Sequence, residues 1–174
     1  MTNFKESLAK IKAFVFDIDG VLSLQTINLN PSGMPNRTMN LRDGYALRYA
    51  IKKGYLVGII SGGDAADYEK RLAHLGIKDV YMRSEIKVVH LKDFLAKYNL
   101  DASEVLYMGD DIPDIQALKM VGAPVCPSDA DCEVKKVSAY ISDKKGGEGC
   151  ARDVIEQALR LHDKWLDDFD AYSW

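Results

Sequence analysis

The stretch FVFDIDGVL, residues 14–22, sets two aspartates at the end of an apolar run, with a glycine directly after them. An apolar run of this kind predicts a buried strand. Asp and Gly are also common in the turns that follow strands. On its own the stretch therefore fits an ordinary junction between a strand and a turn. Whether Asp17 and Asp19 carry chemistry depends on what the rest of the chain brings to the same place.

Short apolar runs alternate with helical patterns along the chain, which is typical of βαβ units around a parallel sheet. The predicted strands are Ala13–Phe16, Leu56–Ile60, Val80–Met82, Val105–Met108, Pro124–Cys126 and Ala139–Ile141. The predicted helices are Tyr45–Lys53, Asp64–Leu75, Ser84–Tyr98, Pro113–Val121 and Arg152–Asp168. Because the apolar runs are nearly continuous, the strands are expected to be covered on both faces. The pattern predicts a doubly wound, Rossmann-like α/β fold.

The segment between the first strand and the first helix breaks this alternation. Residues 23–41 contain two β-rich runs, Thr26–Leu29 and Thr38–Leu41, on either side of a Pro-Ser-Gly-Met-Pro turn. This pattern predicts a β-hairpin. A length of 174 residues without repeats, low-complexity tracts or linkers suits one domain. We therefore expect a single domain over residues 1–174, with the hairpin at about 23–41 and a C-terminal helix and tail at about 152–174.

Composition narrows the class of protein. Hydrophobic residues at 47% and charged residues at 28% are typical of soluble globular proteins. A formal net charge of −3 provides no basic field for nucleic acid or for an acidic membrane. We see no apolar run near the roughly 20 residues that span a bilayer and no pattern for secretion. Cys126, Cys132 and Cys150 contain no Cys-x-x-Cys pair, which favours reduced thiols in the cytoplasm over a zinc site.

Polar groups follow four consecutive strands of the predicted sheet. In chain order they are Asp17 and Asp19; Ser61, Gly62 and Gly63; Lys87; and Asp110, Asp111 and Asp114. Ligands of open α/β sheets bind at this carboxyl edge, so we expect the groups to converge. Clustered carboxylates raise one another's pKa values unless a cation lies among them. An all-oxygen ligand set suits Mg²⁺.

A hydroxyl, a glycine amide and a lysine beside such a cluster suit a phosphoryl group. Transfer of that group depends mainly on positioning and on neutralising charge. An ionised aspartate is a competent nucleophile toward phosphorus and would form an aspartyl phosphate. A second carboxyl can protonate the leaving oxygen and later take a proton from the attacking water. The residues therefore predict magnesium-dependent phosphoryl transfer.

The order of these motifs resembles the haloacid dehalogenase (HAD) superfamily of phosphotransferases. The matching segments are Phe16–Gly20 (FDIDG), Ile59–Gly62 (IISG), Lys87 and Gly109–Asp114 (GDDIPD). By that resemblance Asp17 is the nucleophile, and Asp19 is the general acid/base whose carbonyl also holds the metal. The resemblance further implies that Ser61, Gly62 and Lys87 hold the phosphoryl group. It assigns Mg²⁺ to Asp17, Asp19 and Asp110, with Asp111 and Asp114 in support.

The chain is similar to the capless branch of that superfamily, since only the hairpin follows the first motif. About twenty residues separate Ser61 from the next strand, which is too few for a cap domain. Residues 40–47 (NLRDGYAL), the hairpin and residues 144–154 (KKGGEGCARDV) are similar to phosphatases of 3-deoxy-D-manno-octulosonate 8-phosphate and of nonulosonate 9-phosphates. The resemblance implies a role in lipopolysaccharide precursor synthesis. It also implies a homotetramer assembled by the hairpins, in which neighbouring subunits complete each active site.

Two positions depart from that pattern, and several assignments stay open. Gly63 stands where those enzymes usually carry a long charged residue, and Glu148 stands where they carry an arginine. Arg42 is a candidate for binding substrate, because arginine pairs with carboxylate or phosphate through two donors, but it also suits a plain helix start. The tail residues Phe169, Tyr172 and Trp174 suit docking on a neighbouring subunit. The alternative functions are a nonulosonate 9-phosphate phosphatase, a loosely specific sugar phosphatase, or an inactive oligomerisation module.

Overall fold

The computed structural model describes residues 3–173, with the side chains of Asp67 and Asp170 outside that description. The elements are α1 (Phe4–Leu8), β1 (Ala13–Phe16), β2 (Asn28–Leu29), β3 (Pro35–Asn36), α2 (Leu41–Lys52), β4 (Leu56–Ile60), α3 (Ala66–His74), β5 (Asp79–Tyr81), α4 (Lys87–Tyr98), β6 (Val105–Met108), α5 (Ile115–Leu118), β7 (Ala123–Cys126), α6 (Cys132–Val137), β8 (Tyr140–Ile141) and α7 (Cys150–Leu161). Six strands form one parallel sheet in the order β5-β4-β1-β6-β7-β8. The doubly wound α/β fold predicted from the sequence is confirmed.

Strand β1 lies inside the sheet and has hydrophobic core on both faces. Successive side chains of a strand point to opposite faces, so Phe14 and Phe16 enter one core while Val15 enters the other. The first core includes apolar residues of α2, α3 and α7, and the second includes apolar residues of α4, α5 and α6. All four residues of β1 are fully buried. The continuous apolar run before Asp17 is therefore explained by burial on both faces.

The hairpin is present but shorter than predicted. Only Asn28–Leu29 and Pro35–Asn36 pair, around a turn in which the Asn30 side chain accepts from two backbone N–H groups. The prediction of a second strand at Thr38–Leu41 is wrong. Asn40 caps α2 by accepting from the N–H groups of Arg42 and Asp43, and Leu41 is already helical. The plain helix start considered for Arg42 is thus observed.

Several helix boundaries also differ from the prediction. Helix α3 begins at Ala66 and not at Asp64, because the Asp64 carboxylate binds Arg83 and does not cap the helix. The segment predicted as one helix from Pro113 consists of a 3₁₀ turn and the short α5. Helix α7 ends at Leu161, since the chain turns at Asp163 with a φ of 54°. Helices α1 and α6 were not predicted. In residues 3–173 no helix has the length and apolar character needed to cross a bilayer.

Candidate active site

A cavity of about 440 Å³ opens at the carboxyl edge of the sheet, beyond the ends of β1, β4, β5 and β6. Its lining includes residues from all four predicted motifs: Asp17, Asp19, Ser61, Gly62, Lys87, Asp110 and Asp111. Asp114 lies beneath this surface and is fully buried. The expected convergence of polar groups at one edge is therefore observed.

Lys87 joins the first and last motifs. It is the first residue of α4, its side chain is 5% exposed, and its Nζ lies 2.8 Å from Asp17 Oδ2 and 2.7 Å from Asp114 Oδ1. A cation in the first turn of a helix is unfavourable because it opposes the helix dipole. The two carboxylate partners of Lys87 offset this cost. Burial alone lowers the pKa of Lys87, but Asp17 and Asp114 outweigh it and raise the pKa.

Asp114 holds neighbouring groups of the site in place through both of its carboxylate oxygens, each of which accepts two hydrogen bonds. Its Oδ1 accepts from Lys87 Nζ and from the Tyr107 hydroxyl, both at 2.7 Å. Its Oδ2 accepts from the backbone N–H groups of Asp110 and Asp111 at 3.2 and 3.3 Å. This arrangement fixes the turn that carries Asp110. It also leaves Asp114 with less capacity to bind a further group than Asp17 or Asp110 has.

The acidic cluster fits a divalent cation. One oxygen from each of Asp17, Asp110 and Asp114 lies within 4.8 Å of the others. Burial, with Asp114 adding to it, raises the pKa of Asp17 to about 8 although Lys87 lies beside it. The same two causes raise the pKa of Asp110 to about 7. Asp110 Oδ1 is buried without a hydrogen-bond partner among residues 3–173. An unpartnered buried oxygen is costly, and oxygen donors at this spacing suit Mg²⁺.

Gly20 lets Asp110 approach the first motif. Its φ is +83°, and a Cβ atom there would lie 2.0 Å from Asp110 Oδ2. Both the backbone conformation and the space thus require glycine. The chain turns here into the hairpin, whose Gln25 donates to Asp110 Oδ2 at 3.3 Å.

Asp19 carries an ion pair that the sequence analysis did not identify. Arg37, directly after β3, donates from Nε to Asp19 Oδ1 at 2.7 Å and from Nη2 to Asp19 Oδ2 at 2.8 Å. The Arg37 side chain is 7% exposed. The hairpin therefore contributes directly to the site. No local pattern distinguishes Arg37, because its partner is 18 residues away in sequence.

Ser61 and Gly62 lie on the opposite wall from the acidic turn, at the end of β4. Ser61 is 2% exposed, and its Oγ accepts from the Gly63 N–H at 3.2 Å. Position 62 faces the carbonyl of Ser84, since a Cβ there would lie 3.7 Å from that oxygen. A hydroxyl and neighbouring glycine amides therefore border the same cavity as Lys87, as a site for phosphoryl oxygens requires.

Two groups of predicted residues lie outside this cavity. Arg42 is exposed and borders a separate cavity with residues of α7, so the structure does not bring it to Asp17 within one chain. Phe169 and Tyr172 of the tail are 94% and 77% exposed. Trp174 lies outside the described residues. The sequence analysis also missed Gln25, Ser84 and Tyr107, which contact or border the predicted groups.

Comparisons with known proteins agree with this geometry. A family model described as a haloacid dehalogenase-like hydrolase matches residues 39–122. The 3-deoxy-D-manno-octulosonate 8-phosphate phosphatase of Salmonella typhi is 32% identical over 163 residues, which cover 94% of this chain and 87% of the relative. The crystal structure of the phosphatase of the same name from Yersinia pestis matches with a TM-score of 0.90 and 32% identity, covering 94% of this chain and 88% of that one.

A further solved structure contains bound ligands. It is the 3-deoxy-D-manno-octulosonate 8-phosphate phosphatase of Moraxella catarrhalis in complex with a magnesium ion, a phosphate ion and a KDO molecule. It matches with a TM-score of 0.88 and 30% identity, covering 99% of this chain and 97% of that one. The chain therefore belongs to the haloacid dehalogenase-like hydrolases, and within them it is a phosphoric monoester hydrolase that resembles the 3-deoxy-D-manno-octulosonate 8-phosphate phosphatases.

Proposed function

We propose that this chain hydrolyses 3-deoxy-D-manno-octulosonate 8-phosphate to the free sugar acid and phosphate, a step in lipopolysaccharide precursor synthesis. One observation supports this most: Asp17, Lys87 and the Asp110 turn meet at one sheet edge. The relatives in which this fold recurs carry that substrate in their names and match over nearly their whole length. A phosphate ester that also bears a carboxylate suits a site that combines lysine, arginine and a cation.

In the proposed reaction an Asp17 carboxylate oxygen attacks phosphorus, and the bond from phosphorus to the sugar oxygen breaks. Asp19 gives a proton to that leaving oxygen, so the sugar acid departs as an alcohol. A water molecule then attacks the aspartyl phosphate and loses its proton to Asp19. Phosphate leaves, and Asp17 returns to its starting state. Lys87, Ser61 and the Gly62 amide hold the phosphoryl oxygens through both steps.

The residues proposed to hold Mg²⁺ are Asp17, Asp110 and the backbone carbonyl of Asp19. Bound there, the ion supplies positive charge for the phosphoryl oxygens. Asp111 and Asp114 are proposed to support this set, and for Asp114 its four accepted hydrogen bonds explain how. Lys87 keeps Asp17 oriented whether or not the cation is bound, because its second partner, Asp114, is fixed by Tyr107.

We further propose that the protein is a homotetramer of single-domain chains, covering residues 1–174, in the cytoplasm. The hairpin residues Leu29 and Met34 are 66% and 50% exposed, and such apolar groups favour an interface between subunits. In a tetramer, Arg42 is proposed to reach the active site of a neighbour and bind substrate there. The free thiols of Cys126, Cys132 and Cys150 fit a reducing compartment.

A substrate panel tests the proposed function. Phosphate release is measured with Mg²⁺ in excess from the octulosonate 8-phosphate, a nonulosonate 9-phosphate and a neutral hexose phosphate. We expect kcat/KM to be highest for the octulosonate 8-phosphate. A preference for the nine-carbon acid would change the assigned substrate to a nonulosonate 9-phosphate and leave the proposed reaction unchanged. Equal turnover of all three would identify a loosely specific sugar phosphatase.

A further inference from the structure

Arg37 lies between two neighbouring cavities. The first is the active-site cavity described above, which Asp19 borders. The second has a volume of about 390 Å³ and lies between the hairpin and the start of α3. Its described lining is Asn30, Met34, Pro35, Asn36, Arg37, Asp64, Ala65, Ala66 and Tyr68. Among these residues Arg37 alone carries a cationic side chain. An anionic group that entered this cavity would therefore meet a single guanidinium, next to the reaction centre.

Arg37 binds Asp19 in a way that conflicts with the proposed role of Asp19. Both carboxylate oxygens accept an N–H of the guanidinium, and Arg37 Nη1 donates to the Asp64 carbonyl at 3.0 Å. This two-donor fork engages both carboxylate oxygens of Asp19 and holds them toward Arg37. A carboxyl group held in this way is not directed at the leaving oxygen of a substrate. The pair must therefore open during the reaction.

Gly63 leaves the space that this arginine fills. A Cβ atom at position 63 would lie 2.4 Å from Arg37 Nη2 and 3.3 Å from Asp19 Oδ2. Any larger residue there would displace the guanidinium from Asp19. The pairing of Arg37 with Asp19 therefore depends on position 63 having no side chain.

The second cavity also contains a polar group without a partner. Tyr68 is 7% exposed, and its buried hydroxyl has no hydrogen-bond partner among residues 3–173. Tyr68 and Arg37 line the same cavity. A buried hydroxyl without a partner is costly, and a ligand oxygen held by Arg37 would satisfy it. Guanidinium and hydroxyl together form a site for a carboxylate.

We propose that Arg37 binds the carboxylate of the substrate and releases Asp19 when it does so. This inference rests on the proposed function, because it assigns the second anionic group of the sugar-acid phosphate to a residue of this chain. Once released, the Asp19 side chain is free to turn toward the leaving oxygen of the substrate. Arg37 then determines specificity in two ways: it attracts esters that bear a carboxylate, and it keeps Asp19 occupied when that carboxylate is absent.

The test compares two substrates that differ only in the carboxylate: the octulosonate 8-phosphate and its carboxyl methyl ester. We expect the wild-type enzyme to prefer the acid by on the order of 100-fold in kcat/KM, the size expected for hydrogen bonds between charged groups. In Arg37→Gln this preference falls to within a few-fold of unity, and the KM for the acid rises. Arg37→Lys keeps an intermediate preference, because an ammonium is a point charge without the fork.

Arg83→Gln is the matched control, since Arg83 pairs with the carboxylate of Asp64, which lines the same second cavity, and forms no hydrogen bond with Asp19 among residues 3–173. It should keep the full preference for the acid. A wild-type enzyme that turns over acid and ester equally overturns the inference, and so does an Arg37→Gln variant that slows both substrates by the same factor. Absence of turnover of both substrates by the wild type would instead contradict the proposed function. The wild-type comparison needs no variant and therefore stands if Arg37→Gln does not fold.

Discussion

Lys87 and Asp17 form a buried ion pair, with 2.8 Å between Lys87 Nζ and Asp17 Oδ2. The lysine is 5% exposed and also binds Asp114, so one cation neutralises part of a cluster of three buried carboxylates. Breaking a buried pair is strongly destabilising because it leaves an uncompensated charge. The same ion pair therefore contributes both to the stability of the fold and to the proposed reaction.

Lys87→Met is expected to remove activity and to lower stability at the same time. Phosphate release should fall by at least about 10³-fold, since the phosphoryl oxygens lose a preorganised positive charge. The free energy of unfolding should fall by about 3 kcal/mol, because Asp17 and Asp114 stay buried without their partner. Urea unfolding and phosphate release measure the two effects. Lys136→Met is the control: its pair with Glu133 is exposed, so its loss should leave the free energy of unfolding nearly unchanged.

Asp110→Asn is expected to abolish stabilisation by Mg²⁺. A ligand that binds only the folded state stabilises it by about 2.7 kcal/mol at 100 times its Kd. The melting temperature of the wild type should therefore rise with Mg²⁺ and fall again with chelator, while that of Asp110→Asn should not change. Asp143→Asn, at a carboxylate that is 73% exposed, should respond like the wild type. An equal response of Asp110→Asn would exclude Asp110 from the metal site.

Asp43 is expected to make stability depend on pH. It is fully buried, its Oδ1 accepts from the Arg152 N–H at 2.7 Å, and its Oδ2 has no partner among residues 3–173. Burial raises the pKa of Asp43 from 3.8 to about 6, against the opposing effect of backbone N–H groups and Arg152. The folded state therefore binds more protons than the unfolded state between these values. The resulting stabilisation is complete at low pH and is lost as pH rises through about 6.

Asp43→Asn isolates this effect because asparagine does not titrate. The difference in unfolding free energy, wild type minus variant, should fall by about 2 kcal/mol between pH 4.5 and pH 7.5. Urea titrations at several pH values measure it. A difference that stays constant or rises over this range would show that Asp43 is not protonated in the folded state near pH 5.

The hairpin is expected to hold the tetramer together. The double variant Leu29→Ser with Met34→Ser removes two exposed apolar side chains and should shift the protein toward smaller species in analytical ultracentrifugation. Activity should fall by about 10-fold or more if neighbouring subunits complete each site, because a misplaced contact alone can cost that much. Leu161→Ser changes an apolar residue of similar exposure at the end of α7 and should leave the assembly intact. A double variant that keeps its sedimentation would place the interface elsewhere.

The strands could be predicted because the signal for each one lies within its own few residues. Burial on both faces gives a continuous apolar run, and β1, β4 and β6 have the predicted bounds. In a parallel sheet the ends of neighbouring strands meet at one edge. The positions of Asp17, Ser61 and the Asp110 turn therefore followed from the strands alone, and the positive φ at Gly20 explains the turn between strand and hairpin.

The remaining features depend on contacts that the sequence does not display. Asp64 resembles a helix cap in sequence, but its carboxylate is taken by Arg83, 19 residues away. The end of α7 has no glycine; instead the Lys164 N–H bonds the Leu159 carbonyl while Asp163 takes the left-handed conformation. The pairing of Arg37 with Asp19 depends on the path of the hairpin. Only two residues of each hairpin strand pair, and so short a strand leaves little pattern in the sequence from which that path could be predicted.

The most direct test of the central claim, that Asp17 carries out phosphate ester hydrolysis, is phosphate release from the octulosonate 8-phosphate by the wild type and by Asp17→Asn. Both proteins are assayed side by side with Mg²⁺ in excess, and their folding is checked by urea unfolding. We predict turnover by the wild type in the usual range of about 1–10³ s⁻¹ and a loss of at least about 10³-fold in folded Asp17→Asn. Equal rates for the two proteins would contradict the account.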